Sequence, residues 1–224
     1  VGAEALQVVT TGDLNVAIGA NALRSNVLGD RNVAIGSGAL YYANPASKAD
    51  AYNVAIGLNA AFKLTTGVQN TFVGGIAGTE ITTGDYNTHV GYNSGGAASA
   101  IAYSGDYNTS IGINSLSKIR AASNNTAIGF GSLENLSSAS NNTAVGGAAL
   151  QALTSGEGNV AVGGYAGDAI TSAGLNTLVG YASGTSLTTS QYNTAVGHSA
   201  LYSTTEGDLN TAIGYKALYD NTVG

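Results

Sequence analysis

Cysteine, methionine and tryptophan are absent from the 224 residues, and proline occurs once. Without cysteine no disulfide framework or thiolate metal site can form. A single proline excludes collagen-like and proline-rich linker readings. Charge is also scarce: seven Lys and Arg stand against thirteen Asp and Glu, for a net charge of −6. The few basic residues are scattered, so phosphate-driven binding of nucleic acid is excluded. Only 9% of residues are charged while 44% are hydrophobic, the opposite of the composition of a disordered chain. No apolar run reaches the ~18 residues of a membrane span, so no membrane insertion is expected, and no signal peptide is visible. With no methionine, residue 1 is not a translation start, and the chain reads as a fragment of a longer one.

What is present is a repeat. The pattern Asn-[Val/Thr]-x-[Ile/Val]-Gly occurs twelve times, beginning at Asn15, Asn32, Asn53, Asn70, Asn87, Asn108, Asn125, Asn142, Asn159, Asn176, Asn193 and Asn210. The spacing is 17 residues except for two intervals of 21. A fixed period of this kind defines a repeat architecture before any single element is assigned. With the asparagine as position 0, position +4 is glycine in every copy, from Gly19 to Gly214, and +7 is always Ala or Ser. Position +8 is Leu, Ala or Gly, whereas +5 is free. Val1-Gly2 fits +3 and +4 of a further, incomplete copy.

Seventeen residues with a central glycine and paired β-branched residues cannot supply two helices. The expectation is an all-β parallel β-solenoid (β-roll) of about twelve to thirteen coils, forming one repeat domain over 1–224. At the ~4.8 Å spacing of strands, twelve coils would make a rod of about 58 Å. Within each coil the pattern predicts a strand over 0 to +3, a corner at the glycine, and a second strand over about +5 to +13. The β-branched residues at +1 and +3 share a face and are expected to point inward, leaving +2 and +7 as small-residue outer surfaces. The fibre reading given below leans on that inward placement. The asparagines are expected to stack and hydrogen-bond along the coils. Four-residue insertions near 44–50 and 96–103 should loop out without shifting the strands. Flat small-residue surfaces suggest several identical chains packed side by side, and uncapped coils expose edges that could join end to end into a filament.

The phrases Asn193-Thr194-Ala195-Val196-Gly197-His198-Ser199-Ala200-Leu201-Tyr202 and Asn210-Thr211-Ala212-Ile213-Gly214-Tyr215-Lys216-Ala217-Leu218-Tyr219 resemble the repeats of trimeric autotransporter adhesin heads. They also resemble those of bacteriophage tail-fibre and bacterial surface proteins. The resemblance covers essentially the whole chain. It implies a homotrimeric parallel β-roll in an extracellular fibre, on a virion or a cell surface, that projects and attaches.

Candidate chemistry is sparse. Catalysis needs unlike groups converging on one point, and His89 and His198 occupy different repeat positions about six coils apart. No serine-nucleophile signature, phosphate loop or metal-spaced cluster is present, so no enzyme, cofactor or metal is expected. Acidic residues two before the asparagine (Asp13, Asp30, Asp85, Asp106, Glu157, Asp208) read as turn caps, with calcium between them as the alternative. Threonine pairs such as Thr65-Thr66, Thr82-Thr83 and Thr188-Thr189 raise the alternative of an ice-binding face. Thirteen tyrosines offer apolar rings with hydroxyls. Tyr41, Tyr42, Tyr52, Tyr92, Tyr103, Tyr107, Tyr202, Tyr215 and Tyr219 are the candidate surface contacts for a host glycan or protein receptor. A carbohydrate-binding or ice-binding module acting alone is the competing function.

Overall fold

The computed structural model describes residues 1–45, 49–96 and 103–223. Its cores of the two insertions, 46–48 and 97–102, lie outside the described residues. The chain divides into two compact units, Val1–Ile113 and Asn114–Gly224. Both are parallel β-solenoids, with about eleven turns of some 17 residues in all, and no helix occurs among the described residues. Twelve strands bound eleven full turns, so the coil number falls slightly below the twelve to thirteen expected.

In the first unit β1 (Val16–Ile18), β3 (Val33–Ile35), β5 (Val54–Ile56), β6 (Thr71–Val73), β7 (Thr88–Val90) and β8 (Thr109–Ile111) form one sheet in chain order. The short β2 (Gly29–Asp30) and β4 (Ala49–Asp50) pair separately. In the second unit β9 (Thr126–Ile128), β10 (Thr143–Val145), β11 (Val160–Val162), β12 (Thr177–Val179), β13 (Thr194–Val196) and β14 (Thr211–Ile213) do the same. Every pair is parallel and joins like positions, for example Ala144 with Ala161. The register also holds across both 21-residue intervals, with Val33 opposite Val54 and Thr88 opposite Thr109.

The asparagines fix that register. Oδ1 of Asn142 accepts from the backbone N–H of Asn159 at 3.0 Å and from its Nδ2 at 3.1 Å. Asn142 in turn donates Nδ2 to the Gly156 carbonyl at 2.9 Å. The backbone-to-Oδ1 bond recurs from Asn53 to Asn70 to Asn87 and from Asn159 to Asn176 to Asn193. Each amide thus satisfies buried backbone groups of a neighbouring turn, which no apolar residue of similar size could do.

The glycine column is required twice over. Its φ lies between 126° and 142° in all twelve copies, where a side chain is strained. A Cβ on Gly146 would also lie 2.4 Å from the Gly163 carbonyl oxygen.

The strand faces are reversed from expectation. All twelve +2 residues are buried, among them Ala34, Phe72, His89, Ser110 and Leu178. The Ile and Val residues at +3 and the Val and Thr residues at +1 point outward, half-buried or exposed. The +7 row is inside as well, from Ala22 to Ala200. The reason is volume. Leucines at +8 and apolar residues at +11, such as Leu64, Ile119, Leu136 and Leu153, already fill the coil. Only one residue per strand can face inward, and it must be small unless its neighbour yields.

The segment from +5 to +13, expected to be a second strand, is instead a chain of turns. Positions +6, +8 and −1 take positive φ in every copy, at 48° to 69°. Non-glycine residues fill most of them, including Leu23, Leu133 and Leu201. Backbone bonds between turns persist here, as from Leu133 N–H to the Ala149 carbonyl at 3.0 Å.

Candidate functional site

Two surfaces stand out. The first is the outer face of each three-residue strand. In the second unit it carries Ile128, Val145, Val162, Val179, Val196 and Ile213, one per turn, with Thr or Val alongside at +1. Inside the array Ile111 in the first unit is 41% exposed and Val162 in the second is 38% exposed. A row of β-branched side chains with only threonine for relief is an apolar stripe built into the repeat.

The second is a groove of about 530 Å³ in the C-terminal unit. One wall is the +5 column: Tyr181 stacks on His198 at 5.3 Å and His198 meets Tyr215 at 5.6 Å. The other wall is the +9 column of Asp168, Thr185, Tyr202 and Tyr219, in which the last two rings lie 4.9 Å apart and nearly parallel. Thr185 donates its hydroxyl to the Asp168 carboxylate. The floor is the +6 column, where Tyr165, Ala182, Ser199 and Lys216 take the left-handed conformation. At one end the Lys216 ammonium sits 4.8 Å from the Tyr219 ring and 5.5 Å from that of Tyr215. Of the tyrosines picked out by sequence, this groove gathers Tyr202, Tyr215 and Tyr219. It adds Tyr165, Tyr181, His198, Asp168 and Lys216, which the sequence reading did not group. Writing the +5 and +9 positions as columns would have found them.

The other tyrosines are dispersed. Tyr41 and Tyr42 pack with Phe62, and Tyr41 accepts a 2.5 Å hydrogen bond from Arg24. Tyr52 lies under Arg31, Tyr107 stacks on Tyr86 at 4.8 Å, and Tyr92 is exposed. Tyr103 is not a surface residue. It is fully buried, pairs with Ile81, and its hydroxyl accepts from Asn108 Nδ2 at 2.8 Å. The second insertion lets it occupy the core place that Ile81 fills one turn earlier, and burial pushes its hydroxyl pKa up.

Asp30, Asp85, Asp106 and Asp208 act as turn caps. Asp85 accepts from the Val68 N–H at 2.8 Å, and Asp208 from that of Gln191 at 2.7 Å. Among the described residues no group of three or more His, Asp or Glu is placed to hold a metal ion. The threonines at +12 donate their hydroxyls to the next turn, as Thr65 does to the Thr82 carbonyl at 2.9 Å and Thr154 to Thr171 at 2.8 Å. His198 lies in the groove wall, whereas His89 is inside the coil. There it stacks on Phe72 and bonds Ser110 Oγ through Nδ1 at 2.5 Å, and burial lowers its pKa to about 3.

Fold and surfaces together define a parallel β-solenoid repeat protein. No protein-family model, curated protein or solved structure matches the chain.

Proposed function

We propose that the chain is a structural and attachment segment of an extracellular fibre, on a virion or a cell surface, whose copies associate laterally as a homotrimer. The observation behind this reading is the outward stripe of isoleucine and valine. The sequence pattern pointed those residues inward; they face outward, and the in-register stacking of like positions aligns them into one row along the coils. An unshared stripe would leave an apolar row in water on every turn, and covering it with the same stripe of another copy removes that penalty.

Magnitudes bear on the assembly. Covering one half-exposed Ile or Val contributes on the order of 1 kcal/mol. Association itself costs roughly 4–15 kcal/mol in lost freedom. A few turns are therefore insufficient, and the length of the repeat array is what makes the contact stable. Trimer rather than dimer follows from the resemblance of the repeats to adhesin-head and tail-fibre sequences.

Sedimentation equilibrium of the chain is expected to give a trimer. The double variant Val145→Lys, Val162→Lys should sediment as a monomer with an unchanged circular dichroism spectrum, because both side chains point outward. A monomeric parent chain, or a lysine variant that still associates, would overturn the proposal. A monomer that lowers the freezing point of solutions would favour the ice-binding alternative. The threonine hydroxyls already committed to carbonyls argue against that outcome.

A further inference from the structure

We infer that the groove between the +5 and +9 columns of the C-terminal unit binds a short linear oligosaccharide. This rests on the attachment half of the reading above and names its ligand class; it does not depend on lateral assembly, because the groove lies within one chain.

The groove is not a by-product of the repeat. At +9 the preceding coils carry Ser117, Glu134 and Gln151, and at +5 they carry Ile113, Phe130 and Gly147. Those coils close into the same turns, so the solenoid does not need rings at both columns. Where both columns become aromatic together, a cleft in the size range of small-ligand sites opens between them.

Its chemistry narrows the occupant. The walls offer phenol and threonine hydroxyls, the Ser199 hydroxyl and an imidazole, mixed with ring carbon. That mixture suits a ligand carrying both C–H faces and many hydroxyls. Ser199 Oγ and His198 Nδ1 already bond each other at 2.9 Å and Thr185 already donates to Asp168, so the phenol hydroxyls are the groups that a purely apolar ligand would desolvate without return. A cationic ligand is opposed by Lys216, which already covers Tyr219 and Tyr215. A polyanion finds one ammonium at one end and the Asp168 carboxylate at the other, with no charge in excess. The three turns separating them amount to roughly 14 Å at the usual strand spacing, enough for a few sugar rings laid along the stack.

Ring geometry indicates where sugars would stack. Tyr181 and His198 face one another at 28°, so their faces are mutually covered and their edges line the wall. Tyr165 is turned 76° from Tyr181 and is half exposed, and Tyr215 is 72% exposed. The half-exposed Tyr165 ring therefore offers aromatic surface at one end, the exposed Tyr215 ring with Lys216 beside it closes the other, and hydrogen-bonding edges lie between them.

The test is isothermal titration calorimetry of the whole chain with three neutral linear probes, maltotetraose, cellotetraose and N-acetylchitotetraose, and with tetragalacturonate as the polyanionic control. Binding of at least one neutral probe is expected, and tetragalacturonate should not bind. Tyr215→Ala and Tyr202→Ala should each weaken it about tenfold or more, the size of one lost aromatic contact. Tyr92→Ala, an exposed tyrosine of the other unit, should leave it unchanged. Both groove side chains project from the surface, so circular dichroism should report an intact fold. Absence of binding to all three neutral probes, binding of tetragalacturonate alone, or binding that both groove variants retain, would overturn the inference. The monomeric Val145→Lys, Val162→Lys chain should still bind, which separates failure of this inference from failure of the assembly.

Discussion

The core of each coil holds a size exchange that a double-mutant cycle can measure. Where +2 is alanine, +8 is usually leucine, as in Ala17 with Leu23, Ala34 with Leu40, Ala127 with Leu133 and Ala144 with Leu150. Where +2 is large, as in Phe72, His89 and Leu178, +8 is Gly78, Gly95 or Gly184. The two positions share one space. A Cβ placed on Gly78 would lie 2.3 Å from the Phe72 ring, and one on Gly184 would lie 2.8 Å from the Leu178 side chain.

Phe72→Ala alone should destabilise by about 4 kcal/mol, since it empties a fully buried ring site. Gly78→Leu alone should cost about 3 kcal/mol or more through overpacking. Were the effects independent, the double variant would lose roughly 7 kcal/mol. Instead it recreates the alanine–leucine pair of the other coils. The backbone is already suitable, because φ is 59° at Gly78 and 48° to 53° at the leucines of that column. What remains is the left-handed strain of a leucine, about 1–2 kcal/mol. Guanidinium unfolding of all four proteins, followed by circular dichroism at one fixed concentration, gives the cycle; the concentration is held because assembly adds to apparent stability. A double variant no more stable than the additive sum would refute the shared-space account.

Two further outcomes are expected. Leu209 is 77% exposed with φ at 62°, and the same column holds Asn124 and Asn141, so Leu209→Asn should stabilise by about 0.5–1 kcal/mol in the same unfolding assay. His89 is neutral inside the coil with its pKa lowered from 6.5 to about 3 by burial, so the unfolded chain binds the extra proton between those values. Stability is then full above pH 6.5 and falls by about 1.4 kcal/mol per pH unit on acidification toward pH 3. His89→Leu should flatten that part of the stability–pH curve, and an unchanged slope would count against the burial argument.

The period, the glycine corner and the asparagine ladder were legible because each depends on one residue type repeated at one position. Which strand face turns inward was not. Hydrophobicity ranks Ile18 and Val145 above Ala17 and Ala144, so the alternation alone pointed them at the core. The deciding quantity was the space left by Leu23, Leu150 and Leu153 across the coil, which appears only once the turns close. The positive φ at +6 and +8 was hidden for a related reason. Leucine, tyrosine and lysine give no hint of the left-handed conformation that asparagine or glycine would signal. The groove was legible in part: Tyr202, Tyr215 and Tyr219 were among the candidate surface tyrosines, but their opposition to Tyr181 and His198 needed the +5 and +9 columns to be set side by side. Tyr103 was misplaced because the insertion shifts it by one residue into the core.

The reversed strand face also bears on why these turns are built as they are. Small residues at +2 and +7 allow the walls of the coil to approach, so that buried backbone groups reach the asparagine amides and one another. That narrowness leaves few large side chains inside and obliges thirty-one non-glycine residues among those described to adopt positive φ, each at a cost of order 1 kcal/mol. Alanine would satisfy the outer strand face of a solitary solenoid and would lower its tendency to aggregate. Instead Ile or Val stands at +3 in every copy, and Val or Thr at +1. A residue type kept on the outside in all twelve copies, when the fold itself is fixed by asparagine and glycine, supports the proposed lateral contact. Burial against another copy would recover the apolar contact that the narrow interior cannot supply.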